Sequence, residues 1–433
     1  MAEVIRYLPD EEKNRTRALW ERIFVEDSER FLDYYYHIKT ADNEILVLER
    51  DGEILSMLQL NPYRLQLGAA QVEAAYVIAV ATDSRYRHQG MMARLLKRAM
   101  QDRRAKGQPF LFLMPAAEAI YRPFGFRFIY RQQSMTGVLG ALADAAPGML
   151  AENHSPANTG LLQEPKAAHQ KGNVFFFESR NFVWKLCSVA EDELEAAARF
   201  AEDQLSRRHI RVRTIRDRYY YHVLKKECQA ENGNLCWMLQ DGRRQGLVAY
   251  TYEEAVEVRE PLLPEPERLE EALNGCFGSF HRPLYVSGIV PGKEQNGVQK
   301  AEGKPESGKW KQEPVRPVIM ARALDLSVLT AGIRAVCPVS LVLELEDPIL
   351  SDNTGRFLWQ VSEVDSRWEK LPAFGESGKA PVLRASVDEF VQLLFPGGEP
   401  AVSVALLERM APEVQEVWGK LSVYTNVFLN EIV

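Results

Sequence analysis

Val77-Ile-Ala-Val-Ala-Thr-Asp-Ser-Arg-Tyr-Arg-His-Gln-Gly-Met-Met-Ala-Arg-Leu-Leu-Lys-Arg-Ala-Met100 changes period in its middle. It begins as an apolar, β-branched run (Val77, Ile78, Val80) with no helical spacing. A charged turn, Asp83 to Gln89, leads to Gly90. From there Met91, Met92, Leu95, Leu96 and Ala99 recur at three- and four-residue intervals, the spacing of an amphipathic helix. The pattern predicts a buried strand, a short basic loop and a helix opened by glycine. A helix N-terminus presents backbone N–H groups without intrahelical acceptors, and its dipole adds partial positive charge. Gly90 lets a ligand come close to that backbone, while Arg85, Arg87 and His88 add donors. Together they form a receptor for phosphate or pyrophosphate. An ordinary strand–helix junction with a solvated basic turn would carry the same pattern, and both readings stand at this point.

Composition narrows the function classes. The chain has 433 residues, 46% hydrophobic and 26% charged, with a formal net charge of −7. That length suits two to four domains. The acidic balance argues against a nucleic-acid partner and is compatible with cationic small molecules or peptides. Cys187, Cys228, Cys236, Cys276 and Cys337 are scattered, odd in number and without CxxC spacing. They read as reduced thiols, with no metal site expected. Met1 to Asp10 has no apolar core of the signal-peptide type, and no run reaches membrane-spanning length. The expectation is a cytoplasmic protein without a membrane partner.

Along the chain, a helix is expected over Glu11–Val25 and an aromatic helix over Ser28–Tyr36. Phe31 and Tyr35 fit core packing; beside Asp27 and Glu29 they also fit a cation-accepting pocket. Glu44–Glu49 and Glu53–Leu60 read as a hairpin turned by Asp51-Gly52, followed by a strand over Pro62–Gln71. The helix begun at Met91 ends near Lys106-Gly107. Phe110–Met114 is an apolar strand stopped by Pro115. Tyr121-Arg-Pro-Phe-Gly-Phe126 and a strand over Arg127–Gln132 follow. From Asn173 to about Ile289 the same order of elements returns, including a second aromatic helix around Tyr219–Tyr221, but with no RxxG before a helix. Residues 151–172 and 292–315 read as linkers. The tail opens with a strand at Val318–Asp325, and Ser386 is a candidate helix N-cap.

Two motifs carry a family resemblance. Val80-Ala-Thr-Asp-Ser-Arg-Tyr-Arg-His-Gln-Gly90 resembles the acetyl-CoA pyrophosphate loop of the GNAT superfamily of N-acetyltransferases. Tyr121-Arg-Pro-Phe-Gly-Phe126 resembles that superfamily's tyrosine followed by Gly-Phe. The resemblance implies a coenzyme A arm against the edge of Val80, Ala81 and Thr82. It implies a pyrophosphate on the amides from Arg87, His88 and Gln89 through Gly90, Met91 and Met92 to Ala93, with Arg85 and Ala116 alongside. Tyr121 would protonate the departing thiolate. The tail resembles the sterol carrier protein-like fold through Met320-Ala-Arg322 and Asp347…Asn353-Thr-Gly-Arg356. The whole combination resembles the enhanced intracellular survival family, in which two bulky apolar residues follow RxxG, as Met91-Met92 do here.

The implied fold class is α/β (α+β): two acetyltransferase-like domains, the second degenerate, then a sterol carrier protein-like domain. The expected boundaries are 1–150, 151–291 and 292–433. Asn430-Glu-Ile-Val433 resembles a chain end whose α-carboxylate reaches the active site. That makes Val433 the expected general base and puts Glu431, with Asp27, Phe31 and Tyr35, on the acceptor side. The implied reaction moves acetyl from acetyl-CoA to a primary amine of an aminoglycoside, polyamine or lysine-like acceptor, without a metal and in a homohexamer. A lipid or acyl-carrier binding protein and an aminoacyl transferase remain as rivals.

Overall fold

The computed structural model describes residues 3–138, 184–280, 282–290, 310–372 and 380–431. They form two compact units: Met1–Gln132 with His209–Ile215 and Arg316–Val433, and Gln133–Arg208 with Arg216–Val315.

The first unit is built on a twisted sheet. Its strands are β1 (Glu3–Tyr7), β2 (Glu44–Arg50), β3 (Glu53–Leu67), β4 (Ala70–Thr82), β5 (Phe110–Leu113) and β6 (Arg127–Gln132). Three distant segments join them: β9 (Val212–Thr214), β15 (Arg316–Ala323) and β20 (Val427–Phe428). The order is β1-β2-β3-β4-β5-β15-β6, with β9 on the far end of β3 and β20 on β9. Asp51 (φ +49°) and Gly52 (φ +83°) turn the β2–β3 hairpin in the left-handed geometry that a two-residue loop requires. Strand β3 runs unbroken through Pro62, where two strands were expected. Its pairing with β2 ends at Leu60, so the missing N–H falls on a stretch whose other edge is unpaired until β9 joins at Leu65.

One face of this sheet carries α3 (Met91–Ala105). Its Met91, Leu95, Leu96, Ala99 and Met100 pack into one cluster with Leu58, Leu60, Ala75, Val77, Leu111 and Phe126, the stripe its periodicity predicts. Two further helices precede β2: α1 (Arg17–Ile23), entered through a 3₁₀ turn, and α2 (Glu29–His37), whose N-cap Ser28 accepts the Phe31 N–H at 3.1 Å.

Strand β15 corrects the contiguous reading of the tail. Val318–Asp325 was expected to open a separate C-terminal domain. Instead β15 pairs antiparallel with β5 on one side and β6 on the other. The physical reason is burial: Ile319, Met320 and Ala321 are each at most 1% exposed, a run that needs cover on both faces. The remainder of the tail has its own sheet of β16 (Val339–Glu346), β17 (Gly355–Val361), β18 (Ser366–Leu371) and β19 (Val382–Ser386), ordered β18-β17-β16-β19. The helices α8 (Leu326–Thr330), α9 (Val387–Leu394), α10 (Pro400–Glu408) and α11 (Pro412–Trp418) complete it, around Trp359, Trp368, Phe390 and Trp418. Ser386 caps α9 with Glu389 in a capping box, as its sequence suggested. The tail residues that carried the sterol carrier resemblance meet in a buried knot. Arg322 reaches both Asp347 oxygens at 2.6 and 2.7 Å, and Asn353 donates to Asp347 at 3.0 Å.

The second unit repeats the element order of the first. Its strands β7 (Ser134–Val138), β8 (Trp184–Ser188), β10 (Asn234–Gln240), β11 (Arg243–Tyr252), β12 (Val256–Leu262), β13 (Pro283–Ser287) and β14 (Trp310–Gln312) are ordered β14-β7-β13-β12-β11-β10-β8. With α5 (Leu194–Arg207), α6 (Arg218–Ala230) and α7 (Leu269–Phe277), the succession β8-α5-α6-β10-β11-β12-α7-β13 matches β1-α1-α2-β2-β3-β4-α3-β5. Each half ends in a parallel pair, β4 with β5 and β12 with β13.

Candidate active site

The parallel pairing of β4 and β5 is short. It joins Ala75 to Leu111 and Tyr76 to Phe112 and goes no further. From Val77 to Thr82, β4 therefore presents a main-chain edge with no strand beside it among the described residues. An open edge of this kind accepts an extended amide-bearing ligand as it would an added strand. Along the same stretch β4 bulges. Gln59 faces Ile78 and Met57 faces Ala81, so β4 takes an extra residue, with Ala79 at φ +50°. On the other side Ser56 fixes the strand, donating to the Ala81 carbonyl at 2.9 Å and sharing a 2.8 Å hydrogen bond with the Thr82 hydroxyl.

The edge runs directly into the basic loop. His88 (φ +62°) and Gly90 (φ +73°) both lie in the left-handed region. Gly90 is the N-cap residue of α3, and a Cβ added to it would meet nothing within 4 Å. The first helical hydrogen bond of α3 runs from the Arg94 N–H to the Gly90 carbonyl at 3.1 Å. The amides of Met91, Met92 and Ala93 are thus the orphan donors of the helix start. An anion at this point meets open space, three amides and the positive end of a 15-residue helix. Arg87, His88 and Gln89 are exposed around it.

Arg85 is used differently from Arg87. Its guanidinium contacts Asp83 at 3.0 and 3.1 Å and Glu53 at 2.6 Å. Asp83 also accepts the Arg85 N–H at 3.0 Å and pairs with Arg22 at 3.2 Å. The Arg85 guanidinium, against a smaller opposing cost of burial, holds the Asp83 carboxyl down at about 2. Arg85 therefore braces the loop through two carboxylates, leaving Arg87 as the less committed cation, with one long 3.4 Å contact to the Thr82 carbonyl.

Tyr121 ends the one-turn helix α4 (Glu118–Tyr121). Its ring meets Phe126 edge-on at 5.7 Å. It belongs to the apolar cluster that contains Val77 and Met91, against which Val80 and Met92 pack. Gly125, at φ +78°, turns the chain after it. Burial alone pushes the Tyr121 phenol up to about 12, so it is a protonated donor at neutral pH. The exposed Ala116 lies in the link between β5 and α4.

The structure groups Val80, Ala81, Thr82, the loop 85–90, Met91, Met92, Ala93 and Tyr121 in one region of the first unit. It does not put Phe31 and Tyr35 on an open wall. Tyr35 has no exposed surface, donates to Asn61 at 2.9 Å and packs against Trp20 at a tilt, ring centres 4.7 Å apart. Phe31 is 6% exposed in the same cluster. These two are corrected to core residues, because the amphipathic helix α2 turns them inward. Asp27 is half-buried and accepts the Trp20 indole N–H at 2.6 Å; burial raises its pKa, against that hydrogen bond. Glu431 is 3% exposed at the end of a tail that passes β9 and β6. In that tail Phe428 packs on Tyr130 at 6.1 Å and Asn430 accepts from Gln132 at 2.6 Å. Val433 lies outside the described residues, as does the linker expected at 151–172. Sequence reasoning missed Ser56, Ala79 and the bracing role of Asp83. Only Asp83 left a trace, as an acidic residue two before Arg85, the spacing of an Asx turn.

The corresponding loop of the second unit reads Leu263-Pro-Glu-Pro-Glu-Arg268. Its two prolines lack N–H donors and its glutamates repel phosphate. The bulge of β12 is occupied as well: Glu260 (φ +51°) pairs there with the fully buried Arg216 at 2.8 Å.

Comparison with known proteins agrees with this geometry. Residues 4–129 match the family described as acetyltransferase (GNAT) domain. An uncharacterized N-acetyltransferase of Streptomyces coelicolor is 32% identical over 99 residues, a match that spans 22% of this chain and 24% of that protein. Among solved structures, a protein of unknown function from Enterococcus faecalis, described as a probable N-acyltransferase, superposes over 100% of both chains with a TM-score of 0.73 at 16% identity. Eis1 of Mycobacterium abscessus does so over 100% of both chains with a TM-score of 0.61 at 15% identity. Those identities establish fold, and the full-length superpositions extend it to both units. Residues 4–129 thus match a GNAT acetyltransferase domain, set in an α/β chain whose second unit repeats the layout of the first.

Proposed function

We propose that the protein is an N-acetyltransferase that moves the acetyl group of acetyl-CoA to a primary amine, in the manner of the enhanced intracellular survival family. The observation that carries this reading is the open β4 edge leading straight into the Gly90 helix start. Its spacing suits a ligand with an extended amide arm and a pyrophosphate. In this reading Val80, Ala81 and Thr82 hold the arm, and the amides of Met91, Met92 and Ala93, with Arg87, hold the pyrophosphate. A main-chain N–H of the bulged strand then stabilises the oxyanion that forms on attack. Tyr121 gives its proton to the thiolate as the C–S bond breaks. The α-carboxylate of Val433 takes the proton lost by the amine. Supporting that last assignment, the tail up to Glu431 folds against the first unit. Asp27 would attract the cationic acceptor.

The same reading assigns the sterol carrier-like tail a structural part, since its motif residues are spent on the Arg322–Asp347 knot. It also assigns the protein a hexameric assembly by family resemblance. The test is thiol release from acetyl-CoA on adding aminoglycosides, polyamines or lysine peptides to the purified chain. Tyr121→Phe is expected to lower kcat by at least about tenfold, a modest share of the ~10²–10⁴-fold typical of general acid–base groups. Full activity of that variant would remove Tyr121 from the mechanism.

A further inference from the structure

Tyr121 stands on a helix of four residues. A helix that short cannot hold its own orientation, because one turn does not repay the ordering of its backbone. What fixes it must come from outside: Arg127, paired with Asp388 of the tail, donates to the Arg122 carbonyl at 3.2 Å, but the carboxylate bonded to a side chain of the turn itself is Glu399. Arg122, the next residue, donates to Glu118 at 2.7 and 3.0 Å within the same turn and to Glu399 at 2.8 Å across to the tail. The other oxygen of Glu399 accepts the Phe128 N–H of β6 at 3.3 Å and the Gln392 side-chain amide of α9 at 2.6 Å. Glu399 is thus a three-way junction between the turn that carries Tyr121, the strand after it and a tail helix. Its side chain is 13% exposed, dry enough for these charge-assisted bonds to keep much of their strength. The Arg122 guanidinium lies over the Phe128 ring at 5.8 Å, which limits its other orientations.

We infer that Glu399 is a positioning residue for acetyl transfer, setting the place of the Tyr121 hydroxyl through Arg122. This rests on the assignment of Tyr121 as the acid. The tail then has a part in the chemistry without touching substrate: it supplies the anchor that the catalytic turn lacks. Glu399→Gln keeps the shape and one acceptor oxygen but loses the charge that holds Arg122. A misplacement near 1 Å can cost ~10²-fold in rate, so a partial loosening should lower kcat about tenfold while the KM for acetyl-CoA stays within twofold.

The test is a double-mutant cycle in the full-length protein. Turnover and KM are measured for the wild type, Glu399→Gln, Tyr121→Phe and the double variant, with melting temperatures alongside. If Glu399 acts through Tyr121, Glu399→Gln slows the wild type but leaves the Tyr121→Phe enzyme at its already reduced rate. Asp325→Ala removes the α8 cap, where Asp325 accepts from Ser327 and Val328 at 3.0 and 3.2 Å. It controls for instability alone, and should lower the melting temperature without changing kcat. Equal slowing in both backgrounds overturns the positioning role, as does an unchanged kcat in Glu399→Gln. Full activity of Tyr121→Phe overturns the acid assignment, and the positioning role with it. Should Glu399→Gln not fold, Arg122→Lys carries the same cycle from the other side of the pair, since lysine keeps the charge but cannot span both carboxylates.

Discussion

Replacing Asp347 with asparagine should destabilise the first unit by more than any surface change could. Asp347 is 5% exposed and Arg322 is 2% exposed. The carboxylate accepts from Arg322 at 2.6 and 2.7 Å, from the Ile349 and Leu350 amides at 2.9 and 3.0 Å, and from Asn353 at 3.0 Å. Asp347→Asn keeps the volume and leaves the buried Arg322 charge without its anion. Breaking a buried pair from one side costs about 3–5 kcal/mol, a large share of the ~5–15 kcal/mol that holds a typical domain. Chemical denaturation followed by fluorescence reads the loss as a lower midpoint at unchanged slope.

Acid should act on the same group. Burial, the largest single influence, would raise the Asp347 carboxyl, but the Arg322 guanidinium, the Leu350 amide and Asn353 together outweigh it and hold the pKa below its ordinary value. A depressed folded pKa means stability that is fully present above the unfolded value, about 3.9, and lost as pH falls through the folded one. The wild type should therefore lose this contribution only below about pH 4, while Asp347→Asn shows no such step. The double change Arg322→Met with Asp347→Leu should recover most of the loss, since apolar isosteres often replace a buried pair at little cost. A single variant within about 1 kcal/mol of wild type would refute the claim that this knot anchors β15 in the sheet.

Three further outcomes follow from the site. Gly90→Ala should cost about 1–2 kcal/mol of backbone strain in the left-handed region, while raising the KM for acetyl-CoA well beyond that of a variant of equal stability elsewhere. An unchanged KM would mean that no ligand approaches Gly90. Because burial pushes the Tyr121 phenol up to about 12, the acid stays protonated and kcat should show no alkaline decline up to pH ~10 from this group; a decline that vanishes in Tyr121→Phe would contradict the shift. Adding three residues after Val433 should cripple turnover and leave acetyl-CoA affinity nearly intact, as measured by equilibrium binding, if the terminal carboxylate is the base.

The strand, loop and helix over residues 77–105 were legible because each rests on local pattern: β-branched run, basic turn, left-handed glycine, helical stripe. The Asp51-Gly52 turn and the Ser386 cap were legible for the same reason. The repeat was visible as element order alone. What stayed hidden depends on pairing partners far along the chain. Nothing in Arg316–Ala323 says that it fills the gap between β5 and β6 rather than opening a new sheet, since an apolar strand encodes burial but not its neighbour. Tyr35 was ambiguous because an aromatic beside an acid reads alike in a pocket and in a core. Only the inward face of α2 and its bond to Asn61 decide it. Glu399 left no signal at all, lying 278 residues after Tyr121 by their numbers.

The two units answer one physical problem in opposite ways. A bulge takes main-chain groups out of the ladder, and groups removed from water must be satisfied by something. In β4 the neighbouring Ser56 serves the Ala81 carbonyl, and the edge beyond stays open beside a helix start made of amides. In β12 the position is filled by the Glu260–Arg216 pair, and the loop that follows carries two prolines and two glutamates and no glycine. Such a buried pair adds little net stability over apolar packing, so stability alone is a poor account of its presence. Its consequence is steric and electrostatic: it fills the bulge with side chains, and the loop after it places Glu265 and Glu267 ahead of the next helix. One repeat thus keeps its strand open to a ligand, and the other spends the same geometry on its own side chains.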